Sequence, residues 1–314
     1  FGVFSSTYYV GTFLSLFTLI FFSSLGNCFS FRSGFYNIGG EGQIYLGGFV
    51  ASLCLSNFSS LPFYVNFIFS FIVTILITGF FSALASFVND YKKVSVLLAS
   101  YIFSAALIPI LDSLISGVFR GKTGNLLATD FIPENVRLIS ILPPSSLNAF
   151  IFVVPLFCIF SCYVFFNTRY GFELDLWGKA EEFSKFSGLS YRKVLYSSMF
   201  IDGALHGMTG FVAIVGQYYT CHVGFVAGLG WNALTCALLA KKNPVLLIPS
   251  ALFLSWLLTS VSRFSLMNNL GFDFSGILQG TIIFIIAGKS FFAKIFYIFT
   301  EIKKKKSSQS RCYK

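Results

Sequence analysis

Residues 62-PFYVNFIFSFIVTILITGFFSALASFV-88 carry no charged side chain over 27 positions. As an α-helix this run is about 40 Å long, more than the roughly 30 Å hydrocarbon core of a bilayer. Two similar runs follow, Leu147 to Phe166 over 20 positions and Val245 to Ser262 over 18. All three are continuously apolar. A membrane β-barrel is thereby excluded, because its strands alternate apolar and polar residues. The chain as a whole is 55% hydrophobic and 11% charged. A soluble domain carries about 25% charged residues, so this chain lacks the side chains to cover itself against water. The expectation is an all-α, polytopic transmembrane helical bundle forming a single domain over 1–314.

Hydropathy places spans near 8–31, 38–56, 62–89, 94–118, 147–167, 195–216, 221–240, 245–262 and 273–290, about nine in all. The charge pattern tests this series, because Lys and Arg concentrate on the cytoplasmic side of membrane proteins. Of the 22 Lys and Arg residues, simple alternation assigns 18 to one side; only Arg120, Lys122, Arg137 and Arg263 fall on the other. The first side is read as cytoplasmic, with 168–194 as a cytoplasmic loop, 119–146 as an external loop and 291–314 as a basic cytoplasmic tail. The lysines 303–306 suit an orientation anchor that contacts lipid headgroups. The net charge of +10 is thus accounted for by topology and lipid, and no nucleic-acid partner is expected. Alternation leaves Phe1 outside, so one more span upstream is expected.

Seven cysteines are scattered, mostly within spans, with no CxxC pair. They read as small hydrophobes in a packed bundle, and no metal site or cofactor is expected. The aqueous segments are too short for a catalytic domain. No G-x-x-x-x-G-K-[ST] phosphate loop occurs, so the chain binds no ATP by that device. No catalytic residues are expected.

One stretch conflicts with its surroundings. The segment 35-FYNIGGEGQIYLGGF-49 places Glu41 among five glycines in a greasy run. An ionised carboxylate at membrane depth costs roughly 2.5–3.5 kcal/mol on insertion scales. Irregular backbone at that depth requires burial in protein or access to water. Two readings stand. Asn37, Glu41 and Gln43 line a solute pathway, or they pin helices together by satisfying backbone groups. Asp202 and His206, four apart on one helical face, are either a protonation relay or a satisfied polar pair. His222 has no evident partner. In the loop, Lys179 to Lys193 reads as an interfacial helix, with Glu181 and Glu182 in its first turn and Phe183, Phe186 and Leu189 on one face.

Four segments together resemble the permease subunits of bacterial ABC importers, in the branch related to ribose, branched-chain amino acid and nucleoside permeases. They are SGFYNIGGEGQIYLGGF (33–49), YGFELDLWGKAEEFSKFSGL (170–189), GLGWNALTCALLAKKNP (228–244) and the final span with Gln279-Gly280, in family order. The resemblance implies a type II ABC importer-like permease fold. It also implies partners: cytoplasmic ABC ATPase subunits that bind the ATP, a second permease subunit, identical or homologous, and an external solute-binding protein. It makes Gly171, Trp177, Gly178, Glu181, Glu182, Phe183 and Gly188 the residues coupling to the ATPase. The implied cargo is a small polar solute, most simply a nucleoside, with riboflavin or a simple sugar as alternatives, moved across the cytoplasmic membrane. Two departures stand out. Ala180-Glu181-Glu182-Phe183-Ser184 replaces the family's small-residue Asn-Pro-x-Ala-Ala start, and Ser100-Tyr101 stands where an Asn is usual. Two other readings remain: a proton-coupled secondary transporter using Glu41, Asp202 and His206, and a decayed or purely structural subunit.

Overall fold

The computed structural model describes residues 2–122 and 126–268, with the single positions 277, 280, 281 and 284 beyond them. The predicted span 273–290 and tail 291–314 therefore lie outside the described residues, apart from those four positions. Phe1–Ser260 form one compact unit and Val261–Lys314 a second.

Ten α-helices are described: α1 (Thr7–Arg32), α2 (Gly40–Asn57), α3 (Phe63–Lys92), α4 (Val96–Ser116), α5 (Val153–Asn167), α6 (Arg169–Lys179), α7 (Glu181–Phe186), α8 (Tyr191–Ala213), α9 (Leu229–Leu239) and α10 (Pro244–Met267). A π-helical turn, Ile214–Tyr218, prolongs α8. No named strand occurs among the described residues.

Among the described residues, six segments are long and apolar enough to cross a membrane: α1, α3, α4, Ala149–Asn167 around α5, Tyr191–Tyr218 around α8, and α10. They follow six of the nine predicted spans. The two others within the described residues differ for physical reasons. α2 covers the predicted 38–56, and its 18 residues rise about 27 Å. Its glycines, Glu41 and Gln43 keep it below the hydropathy of a lipid-facing helix. It tolerates this because α3, α4, α8 and α9 surround it, so protein replaces lipid at its surface. α9 covers only the last part of the predicted 221–240. Gly224, Ala227 and Gly228 have positive φ of 73°, 44° and 83°, which an α-helix cannot accommodate, so its 11 residues form a short helix entered by a loop.

α1 and α8 are buried along most of their length, whereas α3, α4, α5 and α10 leave most of their apolar surface outward. Without a hydrophobic drive between helices in lipid, association depends on close approach and hydrogen bonds. The α3–α8 contact has both. Asn66, Ser70, Thr74, Thr78, Ser82 and Ser86 recur every four residues and are all buried. A Cβ on Gly207 of α8 would lie 1.9 Å from Thr78 Oγ1. On its other face α8 meets α2, where a Cβ on Gly210 would lie 2.3 Å from the Ile44 carbonyl oxygen.

The basic turns meet at one end. Arg32 lies 3.3 Å from Asp175, Arg192 lies 2.8 Å from Asp90, and Lys193 lies 3.3 Å from Glu173. At the other end, the 126–132 strip runs beside 219–223. Thr129 N–H donates to the Cys221 carbonyl at 2.9 Å and Val223 N–H to that of Leu127 at 3.0 Å. His222, which showed no partner in sequence, forms a backbone bridge to Ala128. Its ring lies edge-on to Tyr218 at 5.0 Å.

The expected interfacial helix over 179–193 is three pieces. Ala180 leaves helical geometry, at φ −147° and ψ 69°, and separates α6 from the six residues of α7. Gly188, at φ 72°, turns the chain toward α8. Arg192 and Lys193 begin α8 instead of ending a surface helix. That is the unfavourable end of a helix for cations, and Asp90 and Glu173 offset it.

Candidate functional site

Two features draw together the residues singled out in the sequence: a buried polar seam where α1, α2, α8 and α9 meet, and an exposed helix at the basic end.

The seam centres on Glu41, in the first turn of α2. Its Oε1 accepts the Gly228 N–H at 2.7 Å and its Oε2 the Gly230 N–H at 2.7 Å. These are donors at the start of α9, where amides have no partner within the helix and the helix dipole favours an anion. The close approach needs a glycine. A Cβ on Gly230 would lie 2.3 Å from the Glu41 amide nitrogen. Glu41 thus bonds to backbone at the start of α9.

Asn37 and Gln43 form a second cluster at the same helix start. Asn37 Nδ2 donates to Gln43 Oε1 at 3.0 Å, and Asn37 Oδ1 accepts the Gly39 N–H at 2.9 Å. Two serines of α4, absent from the sequence reading of this site, complete it. Ser100 Oγ accepts from Ile38 N–H at 3.1 Å and Ser104 Oγ from Gly42 N–H at 2.8 Å. Ser100 is the residue that stands where the resemblance led one to look for Asn. Its hydroxyl satisfies a backbone donor, a role that only the fold reveals.

Asp202 and His206 are fully buried on α8. His206 Nε2 lies 3.0 Å from Asp202 Oδ1, yet neither atom has an aligned hydrogen bond. The two groups therefore approach closely, off the axis a hydrogen bond would need. The other ring nitrogen, Nδ1, hydrogen-bonds Ser23 Oγ of α1 at 2.7 Å. Gly26 makes room for the carboxylate; a Cβ there would lie 2.7 Å from Asp202 Oδ1. A Cβ on Gly40 would lie 2.8 Å from His206 Cε1, so the imidazole abuts the residue before Glu41. The seam is one contiguous region.

At the basic end, the residues linked to coupling divide into two groups. Gly171, Trp177 and Gly178 of α6 face inward. A Cβ on Gly171 would lie 2.3 Å from the Val164 carbonyl oxygen, and one on Gly178 would lie 2.0 Å from that of Arg32. The buried Trp177 ring lies edge-on to Tyr191 at 5.4 Å. These three hold α6 against α1, α5 and α8. Glu181, Glu182 and Phe183 of α7 face outward, and Phe186 beside them is 90% exposed. Lys185 bridges Glu181 at 2.9 Å and Glu182 at 3.2 Å. Hydrogen bonds to Glu181 and then Glu182 raise the pKa of its ammonium above the usual range. Gly188 forms the turn beyond.

Among the described residues, no group of three His, Cys, Asp or Glu side chains is placed to hold a metal ion. The seam satisfies and joins helix ends. Glu41, Asn37 and Gln43 bond to backbone and to one another, whereas the Asp202 carboxylate oxygens lie buried without an aligned hydrogen bond.

Residues 9–287 match the family model described as "Branched-chain amino acid transport system / permease component". The chain is 31% identical over 271 residues to the "Probable riboflavin import permease protein RfuC" of Treponema pallidum, covering 85% of this chain and 71% of that protein. It is 26% identical over 308 residues to the guanosine ABC transporter permease protein NupP of Bacillus subtilis, covering 97% and 87%. It is 26% identical over 244 residues to the nucleoside ABC transporter permease protein NupC of Lactococcus lactis subsp. cremoris, covering 73% and 74%. No solved structure matches the chain.

Proposed function

Because the chain belongs to the family of permease components typified by branched-chain amino acid transport systems, we propose that it is the membrane-spanning subunit of an ATP-driven importer for a nucleoside. The observation that carries this reading is the extent of the match: residues 9–287 take in the seam, α7 and, but for the first two residues of α1, the six long apolar segments. The subunit moves solute by conformational gating and leaves ATP hydrolysis to a partner.

The basic end faces the cytoplasm in this reading, by the charge asymmetry of membrane proteins, and the 119–146 loop faces outside. α7 is the docking element for the ATPase. Exposed phenylalanines flanked by carboxylates give it an apolar centre and a charged rim, the composition of a protein interface. Movement of α7 is transmitted through α6, which is wedged against the Arg32 carbonyl by Gly178. An external binding protein delivers the solute, and a second permease subunit completes the path.

Nucleosides and riboflavin share a flat nitrogen heterocycle bearing a hydroxylated five-carbon group, a cyclic ribose or an open-chain ribityl group. The riboflavin import permease among the relatives therefore favours riboflavin as the second reading. The test is uptake by membrane vesicles containing the whole assembly. ATP-dependent accumulation of a nucleoside supports the proposal, and accumulation of riboflavin alone replaces the cargo while keeping the mechanism.

A further inference from the structure

A cavity of about 270 Å³ opens at the basic end between α1, α6 and the turn joining α9 to α10, lined in part by Arg32, Phe166, Asp175, Lys179, Lys241 and Lys242. Four cations there face one carboxylate, a surplus of three positive charges. Asp175 is already shared, with Oδ1 3.3 Å from Arg32 Nε and Oδ2 2.6 Å from Lys179 Nζ. Arg32 is largely buried, its side chain 14% exposed, so water screens its charge poorly. Lys242 Nζ donates to a neutral acceptor, the Tyr36 hydroxyl, at 3.0 Å. The Lys241 ammonium has no hydrogen bond or ion pair among the described residues. Both lysines sit in left-handed backbone, at φ 52° and 61°, where glycine would be unstrained. The site attracts an anion that Asp175 does not supply.

The surroundings indicate which anion. Phe166 forms one wall, beneath the Arg32 guanidinium at 5.1 Å. It ends an outward stripe on α5 that includes Leu156, Ile159 and Tyr163, all more than half exposed. α5 and α10 touch here, with Cys158 Sγ donating to the Pro244 carbonyl at 3.4 Å. α10 also turns Val245 and Leu246 outward. An apolar strip about 15 Å long, fit for part of an acyl chain, thus runs into a cationic cavity at the membrane's edge.

We propose that this cavity binds the phosphodiester headgroup of an anionic phospholipid, whose acyl chains lie along α5. A zwitterionic headgroup brings its own ammonium to the same cations and is disfavoured. Inorganic phosphate shares the charge chemistry but makes no use of the apolar strip.

The test uses the full chain with its partner subunits, purified in mild detergent and offered phosphatidylglycerol or phosphatidylcholine. Native mass spectrometry reads the lipid retained. Phosphatidylglycerol is retained in preference. Lys241→Gln with Lys242→Gln lowers its retention about thirtyfold and leaves phosphatidylcholine unchanged. Phe166→Ser weakens retention as well, and inorganic phosphate at equal concentration does not displace the lipid. The proposal is overturned if the double variant retains as much phosphatidylglycerol as the parent, or if phosphatidylcholine is held equally. Displacement by inorganic phosphate, with no effect of Phe166→Ser, assigns the site to free phosphate instead. If the double variant loses the ATPase and keeps the lipid, the cavity serves a protein partner.

Discussion

Glu41 grips Gly228 across 187 residues of chain: its carboxylate accepts the glycine N–H at 2.7 Å. The second oxygen takes Gly230 in the same way. One side chain therefore joins the starts of two helices, α2 and α9. Glu41→Ala removes the acceptor and leaves two buried amides without a partner, at a cost of about 2–5 kcal/mol. We expect lower yield and a lower melting temperature in detergent. Glu41→Gln keeps one acceptor oxygen and places an NH2 against the other donor, so it too destabilises. An unchanged melting temperature for Glu41→Ala, with transport lost, would instead assign Glu41 to the solute path.

Asp202 and His206 form a buried pair, and breaking such a pair from one side costs about 3–5 kcal/mol. Asp202→Ala and His206→Ala should each destabilise strongly. The double variant should lose clearly less than the sum, because it leaves neither group stranded. Thermal unfolding of the three variants checks this. ATP-driven uptake by the parent protein should also survive a protonophore. Its collapse would revive the relay reading.

The exposed face of α7 is separable from stability. Glu181→Lys with Glu182→Lys reverses two outward charges and removes both bridges to Lys185. Exposed pairs of this kind contribute at most about 1 kcal/mol each, so the bundle should fold. Pull-down of the ATPase should fall severalfold. An unaltered pull-down would remove docking from α7.

Two glycines make a contrasting pair. A Cβ at Gly210 meets the Ile44 carbonyl at 2.3 Å, whereas one at Gly188 meets nothing within 4 Å. Gly210→Ala should abolish folded protein, since backbone cannot yield. Gly188→Ala should cost only about 1–2 kcal/mol for its left-handed φ. Size-exclusion chromatography of the two variants separates the cases, and equal behaviour would contradict the packing of α8 on α2.

Sidedness is checked by cysteines at positions 130 and 185, both exposed. An impermeant thiol reagent should label them from opposite faces of sealed vesicles. Labelling from one face would overturn the assigned topology.

The contrast between these residues also explains what the sequence made legible. Lipid-facing helices announce themselves, because nothing but apolar side chains can face hydrocarbon; Phe63–Lys92 lies within a few residues of its expected position. Glu41 was conspicuous for the converse reason, as a charge that needed a partner. The partner itself was hidden, since Gly228 and Gly230 are near Glu41 only after folding. The start of α9 was misplaced because 221–228 is apolar enough to extend a span, and hydropathy is blind to backbone conformation. The break at Ala180 carried no local signal, whereas Gly188 did. Ser100 stands out in sequence only as a departure from the resemblance and Ser104 not at all, because a serine in an apolar helix is ordinary until a helix start is placed against it.

The most direct test of the central claim is ATPase activity of the purified chain reconstituted with its ATPase and binding protein, with nucleosides and riboflavin supplied in turn. The account predicts hydrolysis that a nucleoside stimulates several-fold and that Glu181→Lys with Glu182→Lys abolishes. Absence of any co-purifying ATPase, together with uptake driven by a pH gradient alone, would contradict it.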